Sequence, residues 1–207
     1  MPPDHATRSA SAQRSRRRRA DAERSVARIL DAAVEALASD PEVSMAEIAR
    51  RAGVVRATIY VHFPTRESLL EAVTERAIAD VTEAMAAAQP EHGDPAEALQ
   101  RVLTVAWRKL GRYHALVDIN TRLPQTELRR RHRPALALLQ PLIERGQRAG
   151  TFRSDIPAQW HLAMLLALIH AASAELQSKQ LPPEEIEPAL VTTALGALGA
   201  TGASDEA

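Results

Sequence analysis

The 207-residue sequence contains no cysteine, few aromatic residues and no excess of either charge, with 26 basic and 26 acidic side chains. Without cysteine it forms neither disulfides nor thiolate metal or redox sites, which suits a reducing compartment. The balanced charge removes net charge as an argument for nucleic-acid binding. The most apolar run, residues 160–174, is shorter than the ~20 residues that span a bilayer. We therefore expect a cytoplasmic protein without membrane contact.

Motifs of catalysis are also missing. The sequence has no nucleophile motif, no glycine-rich phosphate loop and no His-Glu-x-x-His zinc pattern. His114 and Asp118 stand four residues apart, but no third metal ligand accompanies them. The sequence therefore predicts neither an enzyme nor a bound metal or cofactor.

Charge is distributed unevenly along the chain. Residues 1–64 hold 11 basic against 8 acidic side chains, whereas the remainder holds 15 against 18. A basic end favours phosphate contact. Residues 1–21 are polar and Arg-rich, so we predict a disordered basic arm. It is either a solvated tail or an arm that settles on DNA through Arg16, Arg17, Arg18 and Arg19.

Apolar residues recur at helical spacing, and no stretch alternates with period two, so we predict an all-α protein of about nine helices. Within residues 44–70, Ser44 and Glu47 form the pattern of a capping box. Gly53 can supply a turn at positive φ, and Pro64 ends the following segment. Thr65 can cap the next helix. Two short helices around a tight glycine turn are typical of a helix-turn-helix.

The segments RILDAAVEALA and SMAEIARRAGVVRATIYVHFPTRESLLEAV, in roughly residues 25–75, resemble the tetracycline-repressor (TetR) family of bacterial regulators. The resemblance implies an N-terminal three-helix DNA-binding domain with the helix-turn-helix, residues 22–67. A C-terminal helical ligand-binding and dimerisation domain, residues 68–200, and a disordered tail, residues 201–207, would follow. One position departs from the family pattern: where a small polar residue often caps the recognition helix, this chain has Val55.

The resemblance and the chemistry of base recognition suggest which side chains contact DNA. Arginine can bond bidentately to guanine, so Arg56 is the candidate for base reading, while Ala57 and Val61 would pack on thymine methyl groups. Other polar residues would hold the backbone and fix register. Alternatively, Arg56 is a solvated charge, and Tyr60 and His62 pack or cap. The predicted contacts are Ser44, Val55, Arg56, Ala57, Thr58, Tyr60, His62 and Arg66.

The scarce aromatic residues of the C-terminal region indicate where a ligand cavity would lie. Such cavities are mostly apolar with a few placed polar groups. The same residues at helical spacing also suit an ordinary core, and that alternative stays open. The predicted lining is Trp107, Leu110, Tyr113, His114, Asp118, Arg122, Trp160, Met164 and His170.

A single helix-turn-helix reads few bases, so specific binding calls for a dimer. Residues 160–174 are too apolar on all sides to serve one interface, although a monomer with a buried central helix is the alternative. The predicted dimer interface contains Ala167, Ala171, Ala174, Leu190, Ala194 and Leu198.

The sequence as a whole predicts a sequence-specific transcriptional regulator that binds double-stranded DNA. We expect a ligand-responsive repressor that acts as a homodimer on a near-palindromic operator and takes a small apolar ligand. The alternative is a sequence-tolerant DNA-binding dimer without ligand control.

Overall fold

A computed structural model describes residues 5–113 and 124–199, except for the side chains of residues 5–12, 14, 15 and 125. These residues form nine α-helices and one short 3₁₀ helix, without strands, which confirms the all-α prediction. The α-helices are α1 (His5–Ser39), α2 (Met45–Arg51), α3 (Arg56–His62), α4 (Arg66–Ala87), α5 (Pro95–Leu110), α6 (Gln125–Arg131), α7 (Arg133–Ala149), α8 (Ala158–Ser178) and α9 (Pro183–Ala197). The 3₁₀ helix, Gly111–Tyr113, follows α5.

The chain divides into two compact units, Met1–Val73 and Thr74–Ala207. The division falls within α4, a few residues after the predicted boundary between residues 67 and 68. Helix α4 therefore belongs to both units, with its first turns in one and the rest in the other.

Most of the arm that was predicted to be disordered is helical. Helix α1 begins at His5, not near residue 22. The segment is rich in Arg and Ala, which have high helix propensity, so helical structure extends outward from the packed part of α1. Arg16–Arg19 are exposed on this extension. Beyond it, Ile29, Ala33 and Leu37 are buried in the core of the first unit. The predicted tail, residues 201–207, lies outside the described residues.

The caps at Ser44 and Thr65 and the turn at Gly53 lie where the sequence predicts them. The Ser44 hydroxyl accepts the Glu47 N–H at 3.2 Å and caps α2. The capping box is not reciprocal, because the Glu47 carboxylate accepts from the guanidinium groups of Arg50 and Arg51 instead. Gly53 has φ of +64° at the turn, as predicted. Thr65 accepts the Ser68 N–H at 3.1 Å and caps α4.

The core of the second unit is built on α5, whose Asp94 cap and regular apolar face fix its position. Leu99, Val102 and Leu103 of α5 are buried with residues of α7, α8 and α9. The chain breaks between two helices close to Pro134: α6 ends at Arg131, and Pro134 lies in the first turn of α7. Proline suits that position because the missing N–H would be unpaired there.

Half of the predicted dimer interface is wrong, because its residues on and just after α9 are buried. Leu190 is 4% exposed and Ala194 and Leu198 are 0% exposed, since α9 turns its apolar side toward the core of its own unit. These three residues are therefore unavailable to a partner. Predicted interface residues on α8 that are exposed instead are Ala167, Ala171 and Ala174.

No helix in the described part of the chain is both long enough and apolar enough to cross a membrane.

Candidate DNA-binding surface and effector cavity

Helix α3 presents nearly all of its side chains outward. Within α3, all of which the structure describes, Ile59 is the one buried residue, at 0% exposure. At 100° per residue, Ala57 and Val61 lie about 160° around the helix from Ile59. Both are exposed, and Val61 is exposed by 77%. The outermost strip of α3 is therefore apolar and small.

Arg56 and Tyr60 form one flank of this strip. The guanidinium carbon of Arg56 lies 5.7 Å from the centroid of the Tyr60 ring, within the range of a cation–π interaction. Tyr60 is 39% exposed, so it is not a core residue of the unit. Because the ring holds the guanidinium near the start of α3, Arg56 loses less conformational freedom when it binds a partner.

Thr58 and His62 form the opposite flank and are half-buried. The His62 ring lies 6.4 Å from the ring of Phe63, which is buried. Val55 precedes α3 and is 70% exposed, and no side-chain hydrogen bond from Val55 caps this fully described helix. The first N–H groups of α3 are therefore not held by a cap side chain.

Arg66 does not have the free guanidinium predicted for a phosphate contact. It donates to the backbone carbonyls of Pro41 and Val43. These bonds tie the start of α4 to the loop before α2 and so support the position of Ser44, which is exposed. Arg66 is thus a positioning residue of the first unit.

A cavity of about 90 Å³ lies within the second unit. About 10–15 Å³ of such volume holds one water molecule, so the cavity has room for several water-sized chemical groups. It is predominantly apolar and is formed by α4, α5, the 3₁₀ helix, α7 and α8 with His132. Its lining consists of Thr74, Ala77, Ile78, Val81, Met85, Ala106, Leu110, Tyr113, His132, Ala135, Leu136, Leu139, Leu165, Leu166, Ile169 and His170.

Tyr113 brings one polar group to the cavity, and this group already has a partner. Its hydroxyl donates to Asp80 Oδ2 at 2.6 Å. Burial, together with the hydrogen bond to Asp80, raises the pKa of Tyr113 to about 12. The phenol is therefore neutral at physiological pH, and its proton is committed to Asp80.

His132 and His170 bring two imidazoles, whose ring centroids are 5.6 Å apart in an edge-on arrangement. His132 Nδ1 lies 2.9 Å from the Leu128 carbonyl oxygen, which can only accept, so Nδ1 carries the proton. His170 Nδ1 is buried and has no hydrogen-bond partner within the described chain. Burial lowers the pKa of both, that of His170 to about 4, so both rings are neutral.

The structure brings part of the predicted pocket lining together around the cavity. Leu110, Tyr113 and His170 line the cavity. Trp107 instead packs with Ile186 and Leu190, because α9 covers it. Two further predicted residues lie elsewhere: Trp160 is 65% exposed, and Met164 packs against the main core. Outside the described residues are His114, Asp118 and Arg122.

Comparison with known proteins identifies the family. Residues 29–73 match the family model described as bacterial regulatory proteins, tetR family. The transcriptional repressor LfrR of Mycolicibacterium smegmatis is 30% identical over 177 residues, which is 83% of this chain and 88% of LfrR. This chain belongs to the TetR family. Another TetR-family relative is the transcriptional regulator NfxB of Pseudomonas aeruginosa, 27% identical over 69% of this chain and 78% of NfxB.

Solved TetR-like structures share the fold. The crystal structure of LfrR in complex with proflavine aligns with a TM-score of 0.64 and 26% identity, covering 83% of this chain and 94% of LfrR. FadR from Bacillus halodurans aligns with a TM-score of 0.70 over 86% of this chain and 97% of FadR, and its 20% identity bears on the fold alone. As a TetR-family protein, the chain is a DNA-binding transcriptional regulator and not an enzyme.

Proposed function

We propose that this TetR-family regulator is a ligand-responsive repressor that binds a near-palindromic operator as a homodimer. The observation that carries the proposal is the outward face of α3, a helix with one buried residue and a guanidinium held beside an apolar strip. A major groove is wide enough to admit one α-helix and exposes both guanine acceptors and thymine methyl groups.

The roles on α3 follow from the positions of its side chains. Arg56 would bond to guanine O6 and N7, and Ala57 and Val61 would contact thymine methyl groups. Tyr60 would position Arg56 and meet the backbone at one flank, while Thr58 and His62 would meet it at the other. At the ends of the two short helices, Val55 would contact DNA beside the uncapped N–H groups of α3, and Ser44 would offer its hydroxyl to phosphate.

Arg16, Arg17, Arg18 and Arg19 would add phosphate contacts from α1, since all four are exposed. Contacts of this kind raise affinity without reading sequence. The arginines are also the observation that favours the alternative, a sequence-tolerant DNA-binding protein in which they dominate.

The proposed dimer interface is the exposed face of α8 and α9. Ala167, Ala171 and Ala174 recur at helical spacing on α8, and small residues permit close helix approach. In place of the buried Leu190, Ala194 and Leu198, α9 would contribute the exposed residues Ala189, Thr192, Thr193 and Gly196. A two-fold dimer places two copies of α3 on related half-sites, which is why we expect an inverted repeat.

The cavity is the proposed effector site, where an effector is a small molecule that controls DNA binding. Helix α4 supports this role, because Thr74, Val81 and Met85 line the cavity while its first turn follows α3 directly in the chain. The LfrR structure contains proflavine, and that of FadR from Bacillus subtilis contains stearoyl-CoA. An effector acts here only if its affinity differs between the DNA-bound and released conformations.

The test is selection of bound DNA from a random pool by the purified protein at physiological salt. An inverted repeat is the expected product, with half-sites whose centres lie about 34–36 Å apart, or a multiple of that spacing. Binding without enrichment of any sequence would contradict the proposal and favour the sequence-tolerant alternative.

A further inference from the structure

Two polar edges of the described cavity, at Tyr113 and at the His132–His170 pair, differ in whether their polar atoms have hydrogen-bond partners. At one edge the Tyr113 hydroxyl already donates to Asp80. At the other, His170 Nδ1 is buried without a partner in the described chain, and His132 stands 5.6 Å away, ring to ring. A buried polar atom without a hydrogen bond is unfavourable, so a partner for His170 supplied by a bound molecule would gain more than a surface hydrogen bond.

The chemistry of this edge limits what the partner can be. With its Nδ1 proton directed to the Leu128 carbonyl, His132 has Nε2 as its acceptor. A neutral His170 offers a donor or an acceptor at Nδ1, depending on its tautomer. A hydroxyl group both donates and accepts, so it suits the pair with either tautomer. A carbonyl only accepts and a protonated amine only donates, so each suits only some of these combinations.

The rest of the cavity argues for an apolar molecule without negative charge. Twelve of its sixteen lining residues are Ala, Ile, Val, Met or Leu, and none of these described lining residues is Lys or Arg. Among the described lining residues, a carboxylate would therefore meet no fixed cation to offset the loss of its hydration. Protonation of an imidazole to receive it is opposed by burial and, at His170, by the neighbouring His132.

We propose that the effector is a largely apolar molecule with one neutral hydroxyl group, such as a phenol or an alicyclic alcohol, which hydrogen-bonds at the His132–His170 edge. This inference rests on the proposed function, because it takes the cavity to be the effector site. The specificity-determining residue is His170, whose unpaired nitrogen the hydroxyl satisfies.

The test uses 2-naphthol and 2-methylnaphthalene, which differ by a hydroxyl in place of a methyl group. Their dissociation constants are measured by equilibrium dialysis with the full chain. The matched variants are His170→Leu and His161→Leu. His161 also lies on α8, is 1% exposed and has both ring nitrogens unpartnered within the described chain, but it does not line the cavity.

The expected result is a change in preference specific to His170. In His170→Leu the ratio of the two affinities shifts toward 2-methylnaphthalene by roughly 5- to 30-fold, the range for loss of one buried hydrogen bond. In His161→Leu the ratio stays as in the wild type. Equal shifts in both variants, or no shift in either, would overturn the inference, as would failure of both probes to bind the wild type.

A comparison on the wild type alone covers the case in which His170→Leu does not fold. There 2-naphthoate should bind at least roughly tenfold more weakly than 2-naphthol, because its charge is desolvated in the cavity. Equal binding of the two would overturn the inference. Release of operator DNA is scored separately: His170-dependent naphthol binding without release would contradict the proposed ligand response and leave the hydroxyl preference standing.

Discussion

The candidate binding side chains of the two units face in opposite directions. In the first unit they face outward: Val61, on the seven-residue helix α3, is 77% exposed, and Val55, just before Arg56 and the start of α3, is 70% exposed. In the second they face inward, where His132 and His170 border an apolar cavity. An outward face suits a partner as large as a DNA groove, whereas a cavity of about 90 Å³ suits only a small molecule. The contrast supports the different class of partner that we propose for each unit.

The two units also differ in how their functional helices are held. Helix α3 is anchored by Ile59 and lacks a side-chain cap, so its place depends on neighbours such as Arg66, which ties α4 to the loop before α2. The cavity helices share a large core in which residues such as Leu99 and Ile143 are 0% exposed. We therefore expect some mutations in α3 to lower mainly stability and others to weaken mainly DNA binding, and this difference can be tested.

The largest effect should come from the anchor of α3. Ile59→Ala should destabilise the protein by about 2–5 kcal/mol, because it removes a fully buried side chain and leaves a cavity. The matched change Val61→Ala, on the exposed side, should alter stability by less than about 0.5 kcal/mol and weaken operator binding. Urea denaturation measures the stability of both variants, and competition binding measures their affinity for the operator. Similar losses of stability in the two variants would remove the distinction between anchor and outward face.

The loss of base recognition by Arg56 should have the next largest effect. Arg56→Ala should weaken binding to the selected operator by about 1–3 kcal/mol and relax preference for guanine at one position of each half-site. The control is Arg129→Ala, an exposed arginine of the second unit that should leave binding unchanged. If binding to operator and unrelated DNA falls equally, Arg56 is a phosphate contact and the proposed role is wrong. Competition binding at fixed salt measures both affinities.

A smaller effect is expected at the satisfied edge of the cavity. Tyr113→Phe should lower stability by about 1 kcal/mol, since it removes the hydrogen bond to Asp80. The pKa of Tyr113 is raised to about 12, so its contribution is fully present below pH 10 and is lost as pH rises through about 12. Denaturation of both proteins between pH 8 and 12 should show their stabilities converging. A constant difference across that range would contradict the assignment.

A side-chain cap for α3 should raise stability by a similar or smaller amount. Val55→Ser should raise stability by about 1 kcal/mol, because serine can accept an N–H of the first turn of α3, which valine cannot. Thermal unfolding measures the gain, and Val55→Ala is the control for loss of the exposed valine itself. No difference between the serine and alanine variants would mean that the first turn of α3 gains nothing from a cap.

The smallest effect on sequence preference should come from α1. Replacing Arg16–Arg19 with glutamine should flatten the slope of log affinity against log salt by up to ~0.9 for each phosphate contact removed. The ratio of operator to unrelated affinity should change little. An unchanged slope would make these residues a solvated surface, whereas a collapsed ratio would mean that they read sequence.

Sequence patterns predicted the parts of the structure that depend on near neighbours. Ser44, Gly53 and Thr65 act within three or four residues of themselves, so their caps and turn are visible as short motifs. The site on α3 follows for the same reason, because helical periodicity separates Ile59 from the residues around it.

These patterns could not predict contacts between segments that are distant in the sequence. Arg66 binds carbonyl groups more than twenty residues earlier, so nothing near it in the sequence indicates that its guanidinium is occupied. The pairing of His132 with His170 likewise depends on how two helices pack. Leu190 has the spacing of an interface residue, yet packing against Trp107 decided that it is core. Periodicity shows that a helix has an apolar face, but not which surface will cover it.

We propose that α3, and not the arginine-bearing start of α1, reads the operator. This proposal can be tested by amide hydrogen exchange of the full chain, alone and with the selected inverted repeat. DNA should slow exchange across residues 55–62, with a smaller change across residues 5–20. Slowing confined to residues 5–20, with residues 55–62 unchanged, would contradict it.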